Sequence, residues 1–291
     1  MVNLTIIAVG SSLLIADEIK SIILTLLGDE IPIKALTTSE IKNFSKDTFY
    51  VCATTQKVHL QNTIPDNQLF VFDLHPTTKF FLDIAKIPAG EKVYVFNNLL
   101  PYTQLLAKEC RQLGINDLKF QPIAYDEMPN DTVHNLLKEA NYIIGVDCLM
   151  GDKILFSDKY MPSLQKNVNI IAGKRAASVS SASYFISAIA DFYYNQLIKE
   201  RNVIAKKMSK ADNCDIYAQS ASLSGQINRI VRFLRYAANQ AITNQIGLTT
   251  SNLIDDLYNS EPQLVDMDHL NEQLNMLGYL CQKIQQFSTA S

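Results

Sequence analysis

The chain of 291 residues has no tryptophan, four histidines, ten glycines and nine prolines. So little glycine and proline argues against long flexible linkers and against a disordered chain. No apolar run reaches the ~20 residues that a membrane-spanning helix needs. The amino terminus, MVNLTIIAVGSSLLIADEIK, lacks the basic leader of a secretory signal. Gly10-Ser11-Ser12, Asp17 and Glu18 interrupt its apolar part, so it reads as a first strand and helix. A cytoplasmic location is expected, with no membrane contact.

The motifs HExxH, CxxC, GxSxG, GxGxxG and GxxxxGK[ST] are all absent. His59, His134 and His269 are isolated, and no metal, cofactor or catalytic nucleophile is expected. Cys52, Cys110, Cys148, Cys214 and Cys281 are odd in number, far apart and mostly inside apolar runs. They read as buried reduced thiols. A net charge of −3, from 26 basic and 29 acidic residues, leaves no whole-chain footprint for nucleic acid. Arg229, Arg232 and Arg235 make one basic helix face, read as solvated or facing acidic residues of a partner helix rather than DNA.

What the chain does have is 47% hydrophobic and 19% charged residues, enough for one large or two modest cores. Short β-branched runs alternate with helical patterns up to Arg175. Strands are expected at Leu4–Val9, Ile31–Leu36, Thr48–Ala53, Gln68–Asp73, Lys92–Phe96, Leu118–Pro122, Tyr142–Val146 and Asn169–Ala172. Helices are expected after Ser12, over Pro76–Ile87, Leu99–Leu113 and Asp131–Ala140. Such alternation points to parallel, helix-covered sheets in an α/β fold with two flavodoxin-like lobes. Beyond Arg175 the pattern is helical: Ser178–Lys207, Tyr217–Gln245 with Gly225 as a candidate break, a short Thr249–Tyr258, and Asp268–Phe287. The division that follows is lobe 1 over residues 1–90, lobe 2 over 91–177 and an all-α region over 178–291. The narrow apolar stripes of Ser178–Lys207 and Asp268–Phe287 suggest a homodimer.

In an open parallel sheet, ligands bind beyond the carboxyl ends of the strands. The residues there are Gly10, Ser11, Ser12, Thr54, Thr55, Asn97, Asn98, Asp147, Lys174 and Arg175. This set of hydroxyls, amides and cations can hold a small polar or anionic ligand between lobes. Each also has a structural reading. Gly10-Ser11-Ser12 can be a turn and helix cap instead of an anion cradle. Asn97-Asn98 can be a turn, and Asp147 can pair with Lys174 or Arg175. Asp73 and His75 can form an acid/base pair or simply a strand-end turn before Pro76.

The stretches IPAGEKVYVFNN, RQLGINDLKFQP and EANYIIGVD, the strand Asn169–Arg175 and the long helix after it also carry a family pattern. Leu69–Lys207 resembles the N-terminal sensory region of sigma-54-interacting transcriptional regulators, related in style to the two-lobed sensory domain of propionate-catabolism regulators. That resemblance implies ligand sensing and dimerisation through the connecting helix. The chain departs from the family pattern in having no Walker motif, no ATPase domain and no recognisable helix-turn-helix. The function expected is therefore a cytoplasmic ligand-sensing regulatory protein that signals through its C-terminal helices, with a possible regulatory protein partner. The alternative is a Rossmann-like enzyme acting on a nucleotide or sugar derivative, with Asp73, His75 and Asp147 as its titratable groups.

Overall fold

The first strand shows how local sequence sets the layers. In the computed structural model, which describes residues 4–151, 154–208, 214–246 and 266–288, β1 is Thr5–Gly10. Its side chains alternate between the two sheet faces. Ile6 and Ala8 enter one core, and Ile7 and Val9 another. The strand stops at Gly10 and α1 (Leu13–Leu27) begins after two serines. Ser12 has the extended backbone of an N-cap, and its hydroxyl accepts the Ile15 N–H at 3.5 Å. Gly28 ends the helix at φ 68°, a left-handed value that glycine adopts at no steric cost.

Three more strands follow: β2 (Ile33–Thr37), β3 (Thr48–Ala53) and β4 (Leu69–Phe72), with the one-turn α2 (Lys57–Leu60) after β3. They form a parallel sheet in the order β2-β1-β3-β4. Residues 75–176 make a second sheet from β6 (Lys92–Asn97), β7 (Lys119–Ala124), β8 (Tyr142–Val146) and β9 (Asn169–Gly173). Its order, β7-β6-β8-β9, repeats the first, and it too is parallel throughout. Both orders are flavodoxin-like. The second unit also holds α3 (Thr78–Ile84), α4 (Leu100–Gln112), α5 (Asn130–Glu139) and the single turn α6 (Asp147–Met150). The chain ends in an all-helical region: α7 (Val179–Met208), α8 (Cys214–Ile246) and α9 (Met267–Ser288). The α/β architecture with a helical C-terminal region is as expected.

The compact units, however, are drawn differently from the division at residues 90 and 178. Among the described residues, one unit comprises 4–74, 177–208, 214–244 and 266–288, and the other 75–151, 154–176 and 245–246. The reason is packing. The connections after β2 and β3 are too short to cover their sheet. Phe49, Phe70 and Phe72 on β3 and β4 therefore need a lid, and α7 supplies it with Phe185, Ile186 and Ile189. The Phe70 and Phe185 ring centres lie 5.2 Å apart and those of Phe72 and Phe185 5.5 Å. Burying each such side chain contributes about 2 kcal/mol. In the second unit α3 covers the equivalent edge. Phe80, Ile84 and Ile87 pack with Val93, Val95 and Ile144. A Cβ on Gly173 of β9 would lie 2.6 Å from the Phe80 ring, so α3 sits directly on that strand.

Two short strands missed by the periodicity, β5 (Leu74–Pro76) and β10 (Arg175–Ala177), carry the chain from one unit to the other and form a two-stranded sheet. Each feeds a covering helix. The Thr77 N–H, at the N-cap of α3, donates to the Lys174 carbonyl at 3.0 Å. The Ser178 N–H, before α7, donates to the Asp73 carbonyl at 2.7 Å.

The helices complete the first unit's core. α7 and α9 run antiparallel: the Ser180 hydroxyl donates to the Ser288 carbonyl at one end, and the Arg201 guanidinium donates to Asn271 at the other. Leu270, Leu274, Leu277, Cys281 and Ile284 of α9 are buried there, as are Leu223, Ile227, Ile230 and Leu234 of α8. The stripes assigned from sequence to a dimer are thus used inside one chain. α8 runs unbroken through Gly225. The short helix expected over Thr249–Tyr258 lies outside the described residues.

Candidate functional site

In each sheet the first strand has its neighbours on opposite sides, so the chain changes direction there. The carboxyl ends of β1 and β3, and of β6 and β8, are topological switch points.

At the first switch point Gly10 closes β1, and Ser11 and Ser12 are exposed beyond it. Gly10 is there because the helix starts so close. A Cβ would lie 2.4 Å from the Ala16 nitrogen and 2.7 Å from the Ser12 carbonyl oxygen. α1 has no acidic residue in its first turn. Across the sheet, Thr54 and Thr55 follow β3 and are also exposed. Thr38, just past β2, links the two sides. Its hydroxyl lies 2.8 Å from Gln56 Oε1 and 3.1 Å from the Gly10 carbonyl oxygen. Glu40 turns back on its own loop and accepts the Thr37 N–H and hydroxyl, each at 2.7 Å. The Thr37 N–H, then its hydroxyl, hold the Glu40 carboxyl below the usual carboxylate range. The structure thus brings Gly10, Ser11, Ser12, Thr54 and Thr55 to one strand-end rim, joined by Thr38 and Gln56.

At the second switch point the chain fills the equivalent place itself. Asn97 closes β6 and is buried, and its Oδ1 accepts the Asn98 N–H at 2.8 Å, a local turn. The Asn97 and Asn98 carbonyls accept the N–H groups of Tyr125 and Asp126. Glu127 Oε2 accepts the Leu100 N–H at 2.7 Å and places a carboxylate on the first turn of α4. The Tyr125 ring stacks on Phe96 at 4.9 Å, with Tyr160 6.0 Å away, and burial pushes its phenol above the usual range. Asp147 follows β8 and is exposed. The pairing of Val146 with Gly173 sets Asp147 and Lys174 at the same end of adjacent strands. Lys174 is exposed and Arg175 half-buried in β10.

The titratable residues of the enzymatic alternative are placed as follows. His75 Nδ1 lies 3.5 Å from Glu109 Oε1 in the second unit. The Asp73 N–H meets the Ser181 hydroxyl at 3.3 Å in the first. His134 Nδ1 and the Ser163 hydroxyl are 2.8 Å apart. Among the described residues no group of three His, Cys, Asp or Glu side chains could hold a metal ion, and no helix is long and apolar enough to cross a membrane. Cys52, Cys110 and Cys281 are buried and Cys148 half-buried, none in a disulfide. Burial pushes the thiols of Cys52 and Cys110 up to about 12 and that of Cys281 to about 11.

The residues that sequence reasoning missed are Thr38, Gln56 and Glu127. Glu40 sits in a Thr-x-x-Glu capping pattern, which a motif search finds. Glu127 gives no such signal, because its partner Leu100 lies 27 residues earlier. No protein-family model, curated protein or solved structure matches the chain, so its chemistry rests on these residues alone.

Proposed function

We propose that this is a cytoplasmic ligand-sensing regulatory protein whose small polar or anionic ligand binds at the first unit's switch point. One observation carries the reading. The exposed hydroxyl rim of Ser11, Ser12, Thr54 and Thr55 belongs to the same unit as α7, α8 and α9, and the strands that carry it send Ile6, Ala8 and Val51 into the core those helices share. A parallel sheet offers such a ligand backbone N–H groups at the start of α1 and hydroxyls that donate or accept. The route to the helices is short. β3 pairs with β4, and the end of β4 is bonded to the start of α7 through Asp73 with Ser178 and Ser181. A ligand that binds one arrangement of this rim more tightly shifts the helices by its differential affinity.

The test is a thermal-shift screen of the full chain against inorganic phosphate, sugar phosphates, nucleotides and small di- and tricarboxylates. At least one class raises the Tm by several degrees at millimolar concentration. The shift disappears in Ser12→Ala/Thr54→Val, while Asn98→Ala retains it. No shift from any class, or a shift that survives Ser12→Ala/Thr54→Val, overturns the proposal.

A further inference from the structure

We infer that the outer face of α8 and α9 is a docking surface for an acidic amphipathic helix of a partner protein. This rests on the geometry of the two helices alone and not on the ligand reading.

α9 carries two apolar stripes. One is buried in the core. The other, Met276, Tyr279 and Phe287, faces solvent, with Met276 61% and Tyr279 62% exposed. With Lys283 between them these positions lie three, four and four residues apart, the spacing of one helix face. A groove of about 540 Å³ runs beside this stripe, lined by Arg235 of α8 and by Asn275, Met276, Tyr279, Leu280 and Lys283 of α9. Ile242 of α8, 44% exposed, adds to the apolar surface of the pair. Grouped exposed apolar side chains of this kind mark interaction surfaces more often than chance.

Charge selects the occupant. The chain as a whole is acidic, at −3. Yet residues 216–246 of α8 hold Arg229, Arg232 and Arg235 and no acidic residue, and residues 273–288 of α9 hold Lys283 and none. Arg229 is already engaged by Glu30. Lys283 lies over the Tyr279 ring, 5.3 Å from its centre, at the groove's edge. A second copy docking by this same face would set cations against cations across a two-fold axis. Nucleic acid would need a run of cations along the phosphates, whereas this groove places two around Met276 and Leu280. A helix with an apolar ridge and flanking carboxylates matches both features: the ridge fills the groove, and the carboxylates meet Arg235 and Lys283.

The experiment measures fluorescence anisotropy of the full chain with a labelled helical peptide of Leu ridge and Glu flanks, and with its Lys-flanked counterpart. The Glu peptide binds and the Lys peptide does not. Arg235→Glu/Lys283→Glu weakens the Glu peptide at least tenfold and gains binding to the Lys peptide. Tyr279→Ala weakens the Glu peptide without reversing the preference. Absence of Glu-peptide binding, or binding unchanged in Arg235→Glu/Lys283→Glu, overturns the proposal. So does a concentration-dependent dimer in sedimentation velocity that Met276→Ala/Tyr279→Ala abolishes, since the occupant is then a second copy. Binding of a duplex DNA probe that Arg235→Glu/Lys283→Glu removes overturns it equally.

Discussion

The two sheets share one strand order and differ in how they finish it. Each has a glutamate three residues past its second strand: Glu40 after Thr37 and Glu127 after Ala124. Glu127 reaches the first turn of the neighbouring helix α4, and Glu40 folds back on Thr37. The last residue of the first strand differs too, glycine in one sheet and a buried asparagine in the other. Topology alone therefore does not make a site. In the second unit Glu127 takes the helix start and Asn97 is buried; in the first, Ser11, Ser12, Thr54 and Thr55 are exposed.

Three measurements press on this comparison. The largest effect is expected at the covering helices. Phe185→Ala and Phe80→Ala each remove a buried aromatic side chain, at a cost of about 3–5 kcal/mol. Each loss should stay within its own unit. Alkylation followed by peptide mapping then labels Cys281 faster in Phe185→Ala and Cys110 faster in Phe80→Ala, because each thiol shares a core with the deleted ring. If both variants expose both thiols alike, the units are not separately stable.

A smaller effect separates the two glutamates. Glu127→Ala loses a carboxylate at a helix start and costs about 1 kcal/mol in urea unfolding. Glu40→Gln changes stability less, and in a pH-dependent way. The folded Glu40 carboxyl is depressed, so its contribution is present above the ordinary carboxylate value and fades as the pH falls through the folded one. The acid side of a Tm-against-pH curve is therefore flatter in Glu40→Gln than in the parent. Equal losses at neutral pH would mean that the two glutamates do the same job.

The effect that is smallest at neutral pH opens only on the alkaline side. The Cys52, Cys110 and Cys281 thiols are raised in the folded chain, so their contribution is intact below the ordinary thiol value and is lost as the pH climbs toward about 11–12. Thermal melts should fall gradually above pH ~9. Cys110→Ala and Cys52→Ala should each lessen that slope by a similar amount, one thiol from each unit.

Much of the fold was legible because the strands are short, apolar and bounded by breakers. Thr48–Ala53 and Tyr142–Val146 were placed to the residue. The strand-end residues followed from the strands, and that is why Ser12 and Thr54 could be named. The ownership of the helices was hidden. The apolar face of α7 shows that it must be buried and says nothing of which sheet it covers, since its partners Phe49 and Phe70 lie more than a hundred residues earlier. β5 and β10 are three residues each, too short to set a period. Glu127 was missed for a related reason: a cap supplied from the turn after another strand leaves no local spacing to find.

The exchange of covering helices also fixes the order in which the chain can fold as it is made. Residues 75–176 hold every element of their own core, so that unit can close soon after it leaves the ribosome. Residues 4–74 emerge first yet wait, with Phe49, Phe70 and Phe72 uncovered, until α7 is synthesised more than a hundred residues later. The part made first is thus completed last, and a product stopped before residue 179 would carry one finished unit and one exposed sheet.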